Sequence, residues 1–319
     1  MDRLRFLACL ILVGLLLAVC LPQTAWAQTS TFYPAEGEFA AVFVEDDWPC
    51  VGDRDYNDSL LRVNVEVLKD AIGGVTGIQY EIFPQALGSG FIGGGLGLCL
   101  PGTIGEPPTC GVLINDVEVT LEPDPNESDT VLWLTDDLRS DLCMGESGFI
   151  NTDPALSPVA CDTMRVEIRF DIPQVIEDEP SFDLFFTRDG QRDHQIHQSE
   201  YYGTDQMDTS LFGTGDDASD PPPADGGTEW FVNSDGVPWV VLVPDPVDHP
   251  DIPGLLAYPA EGASFYDAFP EYVDFIQSEG TLFTDWHQHP DPAYLYVPEP
   301  ATASLLALAG LVVVRRRRR

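Results

Sequence analysis

The feature that most constrains the fold is a series of short β-branched and aromatic runs, each bounded by Gly, Pro, Asn or Asp. In the clearest run, residues 60–68, apolar residues at 61, 63, 65 and 67 alternate with polar residues between them. This period of two predicts a strand with one buried and one wet face. Further strands are predicted at residues 39–44, 77–83, 112–121, 130–135, 165–172, 182–187 and 239–243. Strands at this spacing predict an all-β, β-sandwich-like domain.

One short C-terminal helix is predicted over residues 263–278. Apolar and aromatic residues recur there at steps of three and four, which is the spacing of one helical face. Pro270 lies inside this stretch and indicates either the first turn of the helix or a kink. The predicted β domain spans residues 28–290, with an insertion at 101–165 and an acidic loop at 214–228.

The N-terminal segment has the pattern of a secretory signal peptide, predicted over residues 1–27. Arg3 and Arg5 precede an apolar stretch, and Ala25 and Ala27 form the small-x-small pattern of a signal-peptidase site. The mature chain is therefore expected to begin at Gln28. A lipoprotein alternative remains, because residues 17–20 (Leu-Ala-Val-Cys) resemble a lipobox.

The C-terminal segment, residues 291–319, is predicted to be a tether followed by a hydrophobic tail helix. Pro298, Glu299 and Pro300 precede an apolar run at 301–314 and five arginines at 315–319. The run is about 14 residues, short against the roughly 20 that span a bilayer. Arginines at its end favour the cytoplasmic side. An ordinary C-terminal anchor would have the same parts.

This order of parts resembles the PEP-CTERM sorting tail of bacterial proteins, which an exosortase, a membrane protease-transpeptidase, recognises. The resemblance implies signal peptidase and exosortase as processing partners, with transient membrane insertion through the tail. It also implies that the protein is secreted, or belongs to the cell envelope or extracellular matrix, and is membrane-anchored before the tail is processed.

The chain is strongly acidic, with 53 Asp and Glu against 15 Lys and Arg and a formal net charge of −38. Nucleic-acid binding is excluded, because phosphate contacts need lysine and arginine. Solubility or a salty habitat explains most of the acids. A cation-binding role needs acids clustered at ligand spacing.

One cluster meets that requirement. Asp53, Asp55 and Asn57 alternate in a predicted tight loop, and Asp58 adds a carboxylate. Ca²⁺ takes six to eight oxygen ligands from such groups. The first half matches an EF-hand loop, but the second half lacks its glycine and glutamate, and a strand follows. The sequence predicts a calcium site in a loop before a strand. The alternative is an Asp/Asn-rich turn held by its own backbone hydrogen bonds.

The acids just upstream, Glu45, Asp46 and Asp47, could supply further charge to this loop. The same region resembles the start of the LruC domain, which has an aromatic residue, Glu-Asp, Trp-Pro and then Gly-Asp-x-Asp-aromatic-Asn-Asp. Residues 43–49 and 52–58 carry these motifs. A second block lies at 196–219, with Pro238-Trp239, Tyr258-Pro259 and Thr284-Asp285-Trp286 beyond it.

The LruC resemblance covers roughly residues 39–100 and 182–287. It implies a secreted, β-rich domain with a structural Ca²⁺ in the 53–58 loop, and it implies no defined activity. Cys50 and the insertion at 101–165 depart from the family pattern.

No catalytic motif is present: the chain has no His-Glu-x-x-His, no Gly-x-Ser-x-Gly and no phosphate loop. The pairs His194/His197 and His287/His289 have spacings that could hold a transition metal, but no third ligand is evident. We expect a non-catalytic adhesive or structural protein, with extracellular polysaccharide as a candidate partner. The alternative is a secreted carbohydrate-active enzyme or carbohydrate-binding module. An enzyme should show a deep cleft between two carboxylates, and a binding module aromatic rings in a line.

Five cysteines remain after the signal segment. The simplest pairing is Cys99–Cys110 and Cys143–Cys161, which would leave Cys50 free.

Overall fold

The computed structural model describes residues 29–89, 94–100, 108–114, 117–143, 148–175 and 183–298. The predicted signal segment, with Ala25 and Ala27, and the sorting tail from Glu299 and Pro300 onward lie outside the described residues. Within the described ranges, no helix is long and apolar enough to cross a bilayer.

The protein is built from antiparallel strands, which confirms the predicted all-β class. The strands are β1 (Thr29–Tyr33), β2 (Ala40–Val44), β3 (Ser59–Lys69), β4 (Val75–Ala86), β5 (Gly95–Leu100), β6 (Thr109–Ile114), β7 (Val117–Leu121), β8 (Thr130–Thr135), β9 (Met164–Gln174), β10 (Asp183–Thr187), β11 (Gln195–Ile196), β12 (Val240–Val243), β13 (Asp248–His249) and β14 (Ile252–Leu256). A large sheet has the order β12-β2-β3-β4-β9-β6-β7, with β1 also beside β3. A small sheet has the order β11-β10-β5-β8, and β13 pairs with β14.

The main core lies between the two sheets. Val63 and Ile78 from the large sheet and Leu98 and Leu184 from the small sheet belong to one buried cluster. Along β3 the burial alternates as the sequence predicts, since residues 61, 63, 65 and 67 are buried while residues 62, 64 and 66 are partly exposed. Each buried Val or Leu contributes roughly 1.5–3 kcal/mol of transfer free energy.

A second core covers the opposite face of the large sheet at its β12–β2–β3 end. Phe43 and Leu60 pack there with Phe265, Tyr272 and Trp286 from the C-terminal part of the chain. The large sheet is therefore covered on both faces at this end, and the sandwich gains a third layer.

Three short α-helices occur in the described residues, so the prediction of one helix over 263–278 is wrong. They are α1 (Leu138–Leu142), α2 (Phe265–Ala268) and α3 (Tyr272–Gln277). Phe269 leaves the helical region with φ −127° and ψ 77°. Pro270 causes the break, because its ring disfavours a helical conformation in the residue before it.

The predicted single strand over residues 112–121 is also wrong. Two strands, β6 and β7, form a hairpin in which Ile114 pairs with Val117. The intervening residue types, Asn and Asp, favour turns. The segment 101–165 supplies β6 and β7 to the large sheet and β8 to the small sheet. It is thus an integral part of both layers.

One predicted disulfide is confirmed and one is wrong. Cys143 and Cys161 are bonded, and Cys50 is free and exposed. Cys99 and Cys110 are both free and buried. They cannot pair because Cys110 belongs to the main core, whereas Cys99 packs with Val131 and Phe185 in a separate cluster.

Candidate metal centre

The loop between β2 and β3 has a backbone suited to bringing alternate side chains together. Gly52, Arg54 and Tyr56 take positive φ angles of 60°, 64° and 54°. The loop returns beside the strand it left, because Val44 and Asn57 form a parallel bridge. The turn therefore closes tightly around its acidic residues.

Three carboxylates meet in this loop. Glu45, Asp53 and Asp55 each offer an oxygen, and these oxygens lie within 4.8 Å of one another. Glu45 and Asp55 are 2% and 1% exposed, while Asp53 faces solvent. The group therefore has a buried side and an open side through which an ion could enter.

Two buried oxygens at this centre have no hydrogen-bond donor, namely Glu45 Oε2 and Asn57 Oδ1. The Asn57 amide nitrogen donates to the Pro259 carbonyl at 3.3 Å, which fixes the orientation of the amide. A buried acceptor without a partner costs about 1–3 kcal/mol. A bound cation would satisfy both oxygens and remove this cost.

The electrostatics of the centre also favour a bound cation. Burial, together with the charges of Asp53 and Asp55, raises the pKa of Glu45 to about 9. Burial, followed by the charge of Asp53, raises the pKa of Asp55 to about 7. Burial and the charges of Asp46 and Glu45 raise the pKa of Asp58 well above its usual range. These carboxyls repel one another, and none of the three forms an ion pair with a Lys or Arg of the described ranges.

Two of the predicted ligands have other partners. Asp47 forms an ion pair with Arg188 at 3.3 Å. Asp58 Oδ2 accepts a hydrogen bond from the Asp46 amide at 2.8 Å. The structure thus groups Glu45, Asp53 and Asp55, with Asn57 joined to Asp55 by its backbone N–H at 3.2 Å, while Asp47 and Asp58 hold the loop in shape.

The sequence analysis missed Glu261. Its Oε2 accepts a hydrogen bond from Thr152 at 2.8 Å, and Gly262 donates its backbone N–H to Asp55 Oδ2 at 2.9 Å. A carboxylate at this sequence distance from the loop gives no spacing signal. The nearby Tyr258-Pro259 motif was the one sequence feature that could have drawn attention to the segment.

The histidine pairs do not form shared sites. His194 contacts the Trp48 carbonyl, whereas His197 lies between Asp183 and Gln195. A surface group of possible ligands does exist at Glu271, Asp285 and His289. His289 already hydrogen-bonds Glu271 there at 2.8 Å, and this contact raises the pKa of His289.

Comparison with known proteins identifies a family and a shared fold. A family model described as a domain of unknown function, DUF4842, matches residues 73–287. This range includes Glu261 and begins after the 53–58 loop. A solved structure from Bacteroides ovatus, described as a "putative lipoprotein", has a TM-score of 0.59 at 14% identity, covering 86% of this chain and 77% of that one. No curated protein matches the chain.

Proposed function

We propose that this chain, which belongs to the DUF4842 family, is an exported, non-catalytic protein of the bacterial cell envelope or extracellular matrix. Its β domain is stabilised by one Ca²⁺ held by Glu45, Asp53, Asp55 and Asn57. The finer assignments, an LruC-type domain and a PEP-CTERM tail handled by signal peptidase and exosortase, belong to the same proposal.

The calcium assignment depends chiefly on three converging carboxylates and on the unpartnered, fully buried Asn57 Oδ1 in the same loop. Hard oxygen ligands of this kind suit Ca²⁺. The ion would neutralise the repulsion within the loop and fix the entrance to β3, the strand paired with β1, β2 and β4. Its role is structural, since binding to the folded state alone stabilises that state.

Export is supported by features at three places in the chain. The Cys143–Cys161 disulfide suits an oxidising compartment. The N-terminal segment has the signal pattern, and the C-terminal segment resembles a sorting tail. The lipoprotein description of the Bacteroides ovatus protein is compatible with an envelope location for this chain as well.

A non-catalytic role is supported by the surface of the large sheet. A polar depression of about 360 Å³ lies there, lined in part by Glu66, Glu81 and Glu167. Glu81 is paired with Arg165 and Glu167 with Arg169 on the exposed face. Such solvated, paired carboxylates differ from the separated acid and base of a glycosidase. We propose an adhesive or structural role, with extracellular polysaccharide as a candidate partner.

The tryptophans that could stack on sugars are core residues. Trp48, Trp230 and Trp239 are 0%, 6% and 2% exposed. They offer no flat row of rings to a polysaccharide, which weighs against a carbohydrate-binding module of the stacking type.

The calcium proposal is tested by thermal unfolding of the protein in Ca²⁺ and in EDTA. At a Ca²⁺ concentration of 100 times Kd the stabilisation is about 2.7 kcal/mol. This corresponds to a rise in Tm of roughly 5–10 °C for a chain of this size. Asp55→Asn should abolish the difference between the two melts, because it removes a buried charge from the centre.

The matched control is Asp251→Asn, which alters an exposed acid outside the loop and should keep the calcium-dependent rise. Identical melts of the wild-type protein in Ca²⁺ and in EDTA would remove the cation from the proposed function.

A further inference from the structure

We infer that Glu261 is an additional ligand of the same cation, so that the ion joins the 53–58 loop to a segment about 200 residues further along the chain. This inference rests on the proposed function, because it needs a cation at the centre. It adds a ligand and a role to the site, and both can be tested separately from calcium binding itself.

The first argument is the gap left by Gly88. A Cβ placed on Gly88 would overlap Asn57 Oδ1 and would lie 3.1 Å from Glu261 Oε2. Both oxygens therefore lie against the same side of residue 88, and this close approach is possible because residue 88 has no side chain. The Gly88 amide is held in place by a hydrogen bond of 2.9 Å to the Asn57 carbonyl.

The second argument is that hydrogen bonds already join the acidic loop to the segment that carries Glu261. Gly262 N donates to Asp55 Oδ2 at 2.9 Å, and Asn57 Nδ2 donates to the Pro259 carbonyl at 3.3 Å. Phe265 N donates to the Arg54 carbonyl at 2.7 Å. These contacts place residues 259–262 directly over the acidic loop, with Glu261 between the two bonded positions.

The third argument is electrostatic. Glu261 brings a further carboxylate to a segment that is hydrogen-bonded to Asp55, next to the carboxylates of Glu45 and Asp53. Thr152 Oγ1 donates a hydrogen bond to Glu261 Oε2 at 2.8 Å. Without a cation this carboxylate weakens the contact between the two segments; with a cation it strengthens that contact, because both sides then bind the same positive charge.

The segment that carries Glu261 opens a larger unit, which we call the C-terminal cap (residues 258–296). The cap contains α2, α3 and the 3-10 turn Trp286–Gln288, and it covers the second core. Its two ends pair with each other, since Tyr296 N donates to the Tyr258 carbonyl at 2.9 Å and the two rings stack 5.2 Å apart. A cation at the centre therefore couples its own binding to docking of the whole cap.

This coupling gives the cation a function in export. Extracellular calcium modules bind with Kd values of about 10⁻⁴–10⁻³ M, so a site of that affinity fills only where calcium is abundant. The cap would then close on the sheet after the chain has left the cytoplasm.

The test compares the wild-type chain with Glu261→Gln by calcium titration calorimetry and by hydrogen exchange of the cap. In the wild type, Ca²⁺ should slow exchange in peptides from 258–296. In Glu261→Gln, Kd should rise about tenfold or more, since affinity follows the number of charged ligands, and the slowing should be lost even at saturating Ca²⁺. Glu279→Gln is the matched control, because it changes an exposed glutamate within the same cap.

The outcomes separate the two proposals. If the wild type binds no Ca²⁺, both fail. If the wild type binds Ca²⁺ but Glu261→Gln binds it with unchanged Kd and shows the same protection of the cap, the proposed function stands and this inference is overturned. Exchange in β5 and β8 serves as an internal reference, because these strands lie in the other sheet.

Discussion

At the scale of single residues, the centre combines charges that a folded protein ordinarily keeps apart. Glu45 and Asp55 are buried and close together, and their pKa values are raised to about 9 and about 7. The folded state without metal therefore binds protons more tightly than the unfolded chain does. The protonated forms of these two carboxyls contribute to the free energy of unfolding below about pH 4. This contribution is lost as the pH rises through 7, for Asp55, and then 9, for Glu45.

This loss of stability with rising pH leads to a prediction for the metal-free protein. In EDTA the Tm should fall as pH is raised from 5 to 9, because Asp55 and then Glu45 must ionise in a buried position. In Ca²⁺ the same ionised groups bind the ion, so the gain in Tm from Ca²⁺ should grow over that range. Melting curves at one-unit pH steps measure both trends.

The variant Glu45→Gln provides the check on this prediction. It removes the loop carboxyl whose pKa is raised to about 9. The Tm of this variant in EDTA should therefore fall less steeply with pH than that of the wild type. A slope equal to that of the wild type would attribute the trend to the general negative charge of the chain instead.

The residues of the centre were predictable only in part. The alternation of Asp53, Asp55 and Asn57 is visible in the sequence, because the ligands of one loop are neighbours in the chain. Asp47 was predicted as a source of charge but pairs with Arg188, a contact that depends on the tertiary fold. Glu261 was missed for the same reason, since only folding brings it to the loop.

At the scale of elements, most strands of the two main sheets were predicted, but the β6–β7 hairpin was predicted as one strand, β1, β13 and β14 were missed, and two helices were predicted as one. The period of two marks a strand wherever one face is buried, as in β3, and neighbouring strands then fix its register. The apolar stripe at 263–278 has helical spacing, yet Pro270 interrupts it and leaves two short helices. The apolar residues of this stretch are still buried on one side, as their spacing predicts, because Phe265 and Tyr272 both belong to the second core.

The disulfide connects the end of α1 to the chain that leads into β9, across a separation of 18 residues. Closing a loop of this size stabilises the folded state by about 3 kcal/mol. The double variant Cys143→Ala/Cys161→Ala should therefore lower Tm by roughly 6–12 °C, as measured by calorimetry under oxidising conditions. Cys50→Ser, at the exposed free cysteine, should leave Tm unchanged.

If the double variant has the same Tm as the wild type, the disulfide adds nothing to the stability of the folded protein. Neither cysteine is a proposed ligand, so the calcium-dependent rise in Tm should persist in the double variant.

At the scale of the whole molecule, export and sorting predict defined ends for the mature protein. Intact-mass and peptide analysis of the protein recovered from its native envelope should find an N-terminus at Gln28. If the proposed sorting removes the tail at Pro298-Glu299-Pro300, peptides from 301–319 should be absent. In a Glu299→Ala variant the tail should be retained and the protein should stay with the membrane fraction.

Recovery of wild-type protein that still carries its five terminal arginines would contradict the sorting proposal. An N-terminus at a lipid-modified Cys20 would favour the lipoprotein alternative instead. Neither result would affect the calcium centre, whose residues all lie within the described part of the chain.

The paired ends of the C-terminal cap have a mechanical consequence. Because Tyr258 and Tyr296 are joined by a backbone hydrogen bond and by stacked rings, the chain enters and leaves the cap at almost the same point. Tension applied through a surface-attached C-terminus would act first on that pair and on the bond from Ala260 N to the Tyr294 carbonyl. These bonds would rupture before the strands of the sandwich separate, so the cap would be the first element to unfold under tension.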